Sequence, residues 1–277
     1  MSTGEQGGRD PKPIAPAKFW LKSALVILIV GILLAWAWMP SRHEEPVYQG
    51  KPMSEWLRSY AFSNHRSEVE IESEAALRKI GTNGIPTLLK MIQTRDSAIR
   101  TILRALMLKQ TFLSDLRHAE NIRSTASFGF RALGEDAKGA VPELLTVVKG
   151  GSGTVGREEA MYALGHIGPS AQSATPTLIA IASDVNDPDR DNAIRSLGFI
   201  RSSPESVVPC LESCLRDPDD KFRWIAALAL SEFGEAARSS VPTLIPLLAD
   251  PSEIVRKVAT NALTRIDRAA ATKAGIP

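Results

Sequence analysis

Two kinds of apolar pattern alternate along this chain. From Ser23 to Met39 the residues SALVILIVGILLAWAWM run for 17 positions without a charge. Beyond residue 53 the apolar positions instead recur three or four apart. A Pro-x-Leu phrase marks the recurrence, with prolines at Pro86, Pro142, Pro176, Pro209 and Pro242, separated by 56, 34, 33 and 33 residues. Two after each proline stand Leu88, Leu144, Leu178, Leu211 and Leu244, and five after stand Met91, Val147, Ile181, Cys214 and Leu247. Spacing of three to four makes one stripe on a helix, whereas a strand would alternate by two. Proline is tolerated in a first helical turn, where its missing N–H would have no partner.

An arginine keeps the same phase, nineteen before the proline, at Arg123, Arg157, Arg190 and Arg223, and Arg256 continues the series. The residues after these arginines read as second helices, with Ala160, Ala193, Ala226 and Ala259 letting neighbours approach closely. Asp187-Pro188, Asp217-Pro218 and Asp250-Pro251 separate the two halves and act as stop-and-start signals. Self-similarity near 33 residues means stacked units, each unable to bury its apolar face alone. The expected fold is an all-α solenoid.

Proline, Asp eight later and Arg six after that occur as Pro176–Asp184–Arg190, Pro209–Asp217–Arg223 and Pro242–Asp250–Arg256. This pattern resembles the HEAT repeat, and the phrase DPDDKFRWIAALALSEFGEAARSSVPTLIPLL resembles the short bacterial HEAT-like repeats also found in phycobilin lyase subunits. The resemblance implies a right-handed α-α superhelix over 53–277. Thr94 and Gly151 depart from it at the turn Asp, Arg201 and Asp267 stand where other units have Gly134, Gly168 and Gly234, and the wide spacing from Arg100 to Arg123 predicts an irregular insertion near 111–122. The leader 48–62, with Tyr48, Trp56 and Tyr60, is expected to cap the first repeat as a helix.

The uncharged run, extended back to Phe19 to give 21 residues within a predicted span of 19–40, makes roughly 32 Å of helix at about 1.5 Å per residue, close to a hydrocarbon core of about 30 Å. Trp20 at one end and Trp36 and Trp38 at the other suit the interface, and Pro40 stops the helix. A cleaved signal peptide would be shorter, and bulky Trp38 follows its loose Ala35-Trp36-Ala37 site. The reading is therefore one transmembrane helix, with a disordered tail over 1–18 and a linker over 41–52. Arg9, Lys12, Lys18 and Lys22 precede the span, against Arg42, Lys51 and Arg58 after it. That places the N-terminus in the cytoplasm and the solenoid on the periplasmic or extracellular side of the cell membrane.

Composition changes this picture little. With Lys plus Arg 33, Asp plus Glu 31 and a net charge of +2, no nucleic-acid partner is expected. Gly151-Ser152-Gly153-Thr154-Val155-Gly156 spells G-x-G-x-x-G, but a helical half-repeat precedes it where a phosphate loop needs a strand. His43, His65, His118 and His166 are scattered and share no ligand spacing. Cys214 falls in the core column and Cys210 in a more exposed one, which reads as packing. No cofactor, metal, small-molecule substrate or catalytic constellation is expected.

A solenoid without chemistry is used for its surface. The sequence reading is a membrane-tethered scaffold or adaptor that binds another protein and is not an enzyme. The rivals are an accessory subunit resembling that of a phycobilin lyase, and a HEAT-like DNA-lesion glycosylase, which the charge disfavours. The arginine column reads as a structural ladder to the turn Asp of its own or the adjacent repeat. The partner-binding positions are expected one residue later, at Glu158, Asp191, Trp224 and Lys257, where the charge changes sign around an aromatic anchor.

Overall fold

Each 33-residue period folds as two antiparallel helices, because its two apolar stripes are buried only when units stack. The computed structural model describes residues 45–62, 67–95 and 118–276. A hairpin of β1 (Val47–Tyr48) and β2 (Lys51–Pro52) comes first, turning at Gln49 and Gly50, both with positive φ, as a two-residue hairpin loop requires. It occupies part of the segment read as a linker, so the leader helix α1 (Met53–Phe62) begins at Met53. Glu45 caps α1 through the Ser54 amide and hydroxyl at 2.7 and 2.8 Å. Met53, Trp56, Leu57 and Tyr60 form its buried stripe. That stripe packs against α2 (Glu68–Ile80) and α4 (His118–Leu133), whereas the leader's first residues, expected in the same helix, form the hairpin.

First helices of the units are α3 (Ile85–Ile92), α5 (Val141–Lys149), α7 (Thr175–Ser183), α9 (Pro204–Cys214) and α11 (Val241–Leu244), the last continued by a 3-10 turn over Ile245–Ala249. Second helices are α4, α6 (Arg157–Ile167), α8 (Arg190–Ile200), α10 (Asp220–Phe233) and α12 (Glu253–Ile266), and α13 (Arg268–Lys273) closes the chain. Each of these second helices packs on the next, α4 on α6 through to α10 on α12. Their contact is close because small residues meet. A Cβ on Gly198 would lie 2.8 Å from the Ala229 backbone, and one on Gly165 would lie 3.2 Å from that of Ser196. Helix α4 includes residues 118–122, the end of the segment expected to be irregular, and residues 111–117 lie outside the described residues.

Among the described residues no helix is long and apolar enough to cross a membrane. The longest, α4, has 16 residues and buries one face on its neighbours. The span expected over 19–40 lies outside the described residues, as do the tail 1–18 and the start of the linker. The expectation of a single-pass membrane protein with an exported solenoid is accordingly corrected: every described helix is a repeat or capping helix, and none supplies an anchor.

The units are joined by 3-10 segments that open on a glycine with positive φ: Gly81, Gly134, Gly168 and Gly234, with φ between 53° and 74°. At the equivalent place Arg201 is forced to φ 50°, ψ 36°, and Ser203 follows at φ 52°. A side chain there crowds its own backbone, by about 1–2 kcal/mol, partly offset by glycine's larger unfolded-state entropy. Arg201→Gly should therefore stabilise the fold by about 0.5 kcal/mol. A thermal midpoint that stays level or drops in this variant would contradict that account of the turn.

Candidate functional site

The arginine column is built into the turns. Arg157 donates to both carboxylate oxygens of Asp187 at 2.8 Å, to Asp189, and to the Val148 carbonyl at 3.2 Å. Arg190 reaches Asp217 and the Ala182 carbonyl, and Arg223 pairs with both oxygens of Asp250 at 2.9 Å. Each guanidinium thus ties its own unit to the turn of the following one. Arg256 bonds the Asp250 and Pro251 carbonyls instead, and Arg123 bonds Glu159 and the Thr94 carbonyl. Asp184, which the proline spacing picks out, does not hold Arg157. Helix α8 starts only three residues after Asp187, so the Asp-Pro step itself marks the partner. These hydrogen bonds to arginine hold the Asp187 and Asp250 carboxyls below the usual carboxylate range.

Glycines of the G-x-G-x-x-G phrase are set by the backbone of this turn. Gly151, Gly153 and Gly156 have φ of 87°, 85° and 81°. At Gly156 a Cβ would also stand 2.2 Å from the Ile92 carbonyl oxygen. The loop therefore presses against the end of α3 and sets where α6 begins.

With the arginines committed to the turns, three columns of the second helices reach the surface, some of their side chains exposed and others half-buried. Glu158, Asp191, Trp224 and Lys257 form the first, as expected from the sequence, each 33 residues apart. Four residues on come Tyr162, Arg195, Leu228 and Asn261, and eight on come His166, Phe199, Glu232 and Arg265. The repeat brings these columns side by side on one helical face. Phe128, Tyr162, His166 and Phe199 form a continuous series of rings, with centroids 6.5, 4.3 and 5.0 Å apart. Phe199 is 40% exposed and Leu228 39%, while Tyr162 and His166 are half-buried. Arg195 lies over the Trp224 ring at 4.8 Å. His166 Nε2 is buried without a hydrogen bond, and burial, followed by the charge of Arg131, pulls this imidazole down to about 4, so it is neutral at physiological pH.

The four expected positions fare differently. Trp224 is half-buried, with Arg195 covering its ring. Asp191 is neutralised by Lys221 at 2.9 Å and Lys257 by Glu253 at 2.6 Å, which flattens the charge gradient expected along the column. Glu158 has no ion pair among the described residues. Burial, then Glu159, Asp189 and Asp191, raise its carboxyl above the ordinary range. It lines a groove of about 440 Å³ between the starts of α4 and α6, closed on one side by the 153–156 loop. Tyr162, Phe199, Leu228 and Arg195 were not singled out from the sequence. Their signal is there, as the same 33-residue column read four and eight positions further along the helix.

Among the described residues no three His, Cys, Asp or Glu side chains could hold a metal ion. Cys214 is buried and Cys210 half-buried, both as free thiols.

A family model described as HEAT repeats matches residues 141–231 and again 175–264. The match supports a HEAT-repeat protein, with the repeats over 141–264. No curated protein matches the chain. Among solved structures, an engineered protein is 19% identical, covering 80% of this chain and 97% of its own, with a TM-score of 0.45. A designed armadillo repeat protein in complex with peptide (KR)4 is 16% identical, covering 78% of this chain and 100% of its own, with a TM-score of 0.43.

Proposed function

We propose that this HEAT-repeat chain is a non-catalytic scaffold that binds a polypeptide partner across the outward face of its second helices. The observation behind this reading is the ring series Tyr162–His166–Phe199 on that face, half-buried at its first two members and exposed at Phe199, with exposed Leu228 on the following second helix. Large exposed apolar side chains grouped on a surface otherwise rimmed by polar ones mark interaction sites. Aromatic and arginine side chains are the residue types that anchor interfaces. Trp224 joins this patch through Arg195, while Glu158, Asp191 and Lys257 form its polar rim, which favours docking register over affinity.

The test is a double substitution on the patch, Phe199→Glu with Leu228→Glu, in the full chain. Both side chains are partly exposed, so the fold should persist, with circular dichroism and melting close to the parent. Affinity for the polypeptide recovered with the parent chain should fall at least tenfold, about 1.4 kcal/mol or more. Parent-like affinity in a folded double variant would remove this face from the binding surface.

A further inference from the structure

We infer that Cys210 is a nucleophilic thiol placed to exchange with low-molecular-weight disulfides, and so to carry a reversible S-thiolation, with Cys214 as the hydrogen-bond donor that activates it. This goes beyond the scaffold reading and does not depend on it. Cys210 and Cys214 stand one turn apart on α9, so their side chains lie on the same side of the helix. Packing accounts for Cys214, which is fully buried in the column of Met91, Val147, Ile181 and Leu247. It does not account for Cys210. The equivalent positions of the other units hold Thr87, Glu143, Thr177 and Thr243, and Cys210 is half-buried with exposed Pro209 and Ser213 beside it.

Polar groups converge on the pair from two other helices. The Ser183 hydroxyl, at the end of α7, lies 3.6 Å from the Cys210 sulfur. From the start of α8, the Arg190 guanidinium reaches the Cys214 sulfur at 3.7 Å. The Cys214 S–H has two acceptors within reach. One is the Ala182 carbonyl at 3.9 Å, which already accepts from Arg190 at 2.8 Å. The other is Cys210, the stronger acceptor once ionised, because a charged acceptor makes the stronger hydrogen bond. A thiolate at Cys210 is therefore met by two donors, Cys214 and Ser183, with the positive charge of Arg190 close by. The hydrogen bond from Cys214 is the largest of the influences that together outweigh burial and pull the Cys210 thiol down to about 6. The same hydrogen bond, with burial acting in the same direction, keeps Cys214 protonated. Carboxylates of this region are engaged elsewhere: Asp217 by Arg190, Asp184 by the Asn186 amide, and Glu212 by Ser239 and Ser240.

In the exchange the Cys210 thiolate attacks one sulfur of a disulfide RSSR. A Cys210–SR bond forms as the S–S bond of the reagent breaks, and RS⁻ leaves with the electron pair. One thiolate replaces another, so the charge balances and no further oxidant is required. The thiolate, not the thiol, is the attacking species, and Cys210 is the member of the pair that supplies it at neutral pH.

The experiment treats the full chain with dithiodipyridine across the pH range, follows release of thiopyridone by absorbance, and locates the adduct by peptide mass after brief exposure. The rate should reach half its plateau near pH 6, where an ordinary thiol would do so near about 8.5. The adduct should lie on Cys210, and Cys210→Ser should abolish the rapid phase. Cys214→Ser retains a donor and should keep the parent midpoint, whereas Cys214→Ala loses it and should raise the midpoint by about one pH unit or more. Melting is followed for each variant, and where one does not fold the parent profile and the mapped adduct decide. The assignment is overturned by a parent rate that keeps climbing through about pH 8 as for an ordinary thiol, by an adduct on Cys214, or by equal midpoints in folded Cys214→Ala and Cys214→Ser.

Discussion

Arg157→Ala should lower the stability of the repeats by about 3–5 kcal/mol, the usual consequence of deleting one partner of a buried ion pair. Its side chain is 4% exposed and holds Asp187 at both oxygens, Asp189 and the Val148 carbonyl. Removing it strands two carboxylates in a turn with little water, and nothing else described is placed to replace it. The expected readout is a thermal midpoint lower by roughly 10 °C. The pH dependence adds an independent check. Asp187 is depressed in the fold by Arg157, so its stabilisation is present above the ordinary carboxylate range and fades as the pH falls through the depressed value. Without Arg157 that depression goes, and acid unfolding should begin at a higher pH than in the parent. A variant with parent-like melting and an unmoved acid limb would show that the column is not structural.

Gly156→Ala should cost about 3 kcal/mol or more, combining a left-handed alanine with displacement of backbone. Its φ is 81°, and the new Cβ would meet the Ile92 carbonyl oxygen at 2.2 Å, an atom that cannot rotate away as a side chain would. Gly153→Ala separates the two contributions. Gly153 has φ 85° but open space where a Cβ would go, so only the conformational cost of about 1–2 kcal/mol applies. Denaturant unfolding of the two variants side by side gives the comparison. Equal losses would mean that the contact with α3 is not maintained in solution.

Both variants bear on how far the sequence could be read. The 33-residue spacing of prolines and arginines reports helices, their pairing and the ladder, because each depends on residues repeated in register. Alanine and glycine on the second helices likewise announce the close approach seen at Gly198 and Gly165. The ladder partner of Arg157 was not legible from proline spacing, because Asp187 stands eleven residues after Pro176, where Asp217 and Asp250 stand eight after Pro209 and Pro242. Nor was the charge balance of the face. Lys221 reaches Asp191 from the start of the next second helix, and Lys257 turns to Glu253 within its own, pairings that depend on rotamers rather than on periodicity. Glu158 looks like Asp191 in the sequence and differs from it only by lacking such a neighbour. The groove itself is set by the left-handed glycines of the 151–156 turn, which in sequence spell a phosphate-loop phrase and in the fold position the start of α6.

The central claim is that the arginine column holds the repeats together while the outward face of the second helices meets the partner. Photo-crosslinking from single positions in the full chain tests it most directly, with benzoylphenylalanine at Phe199 or Leu228 on that face and at Ala180 or Pro209 on exposed positions of the first helices. The account predicts adducts to one and the same polypeptide from residues 199 and 228 and none from 180 or 209. Adducts from the first helices alone, or equally from both faces, would contradict it.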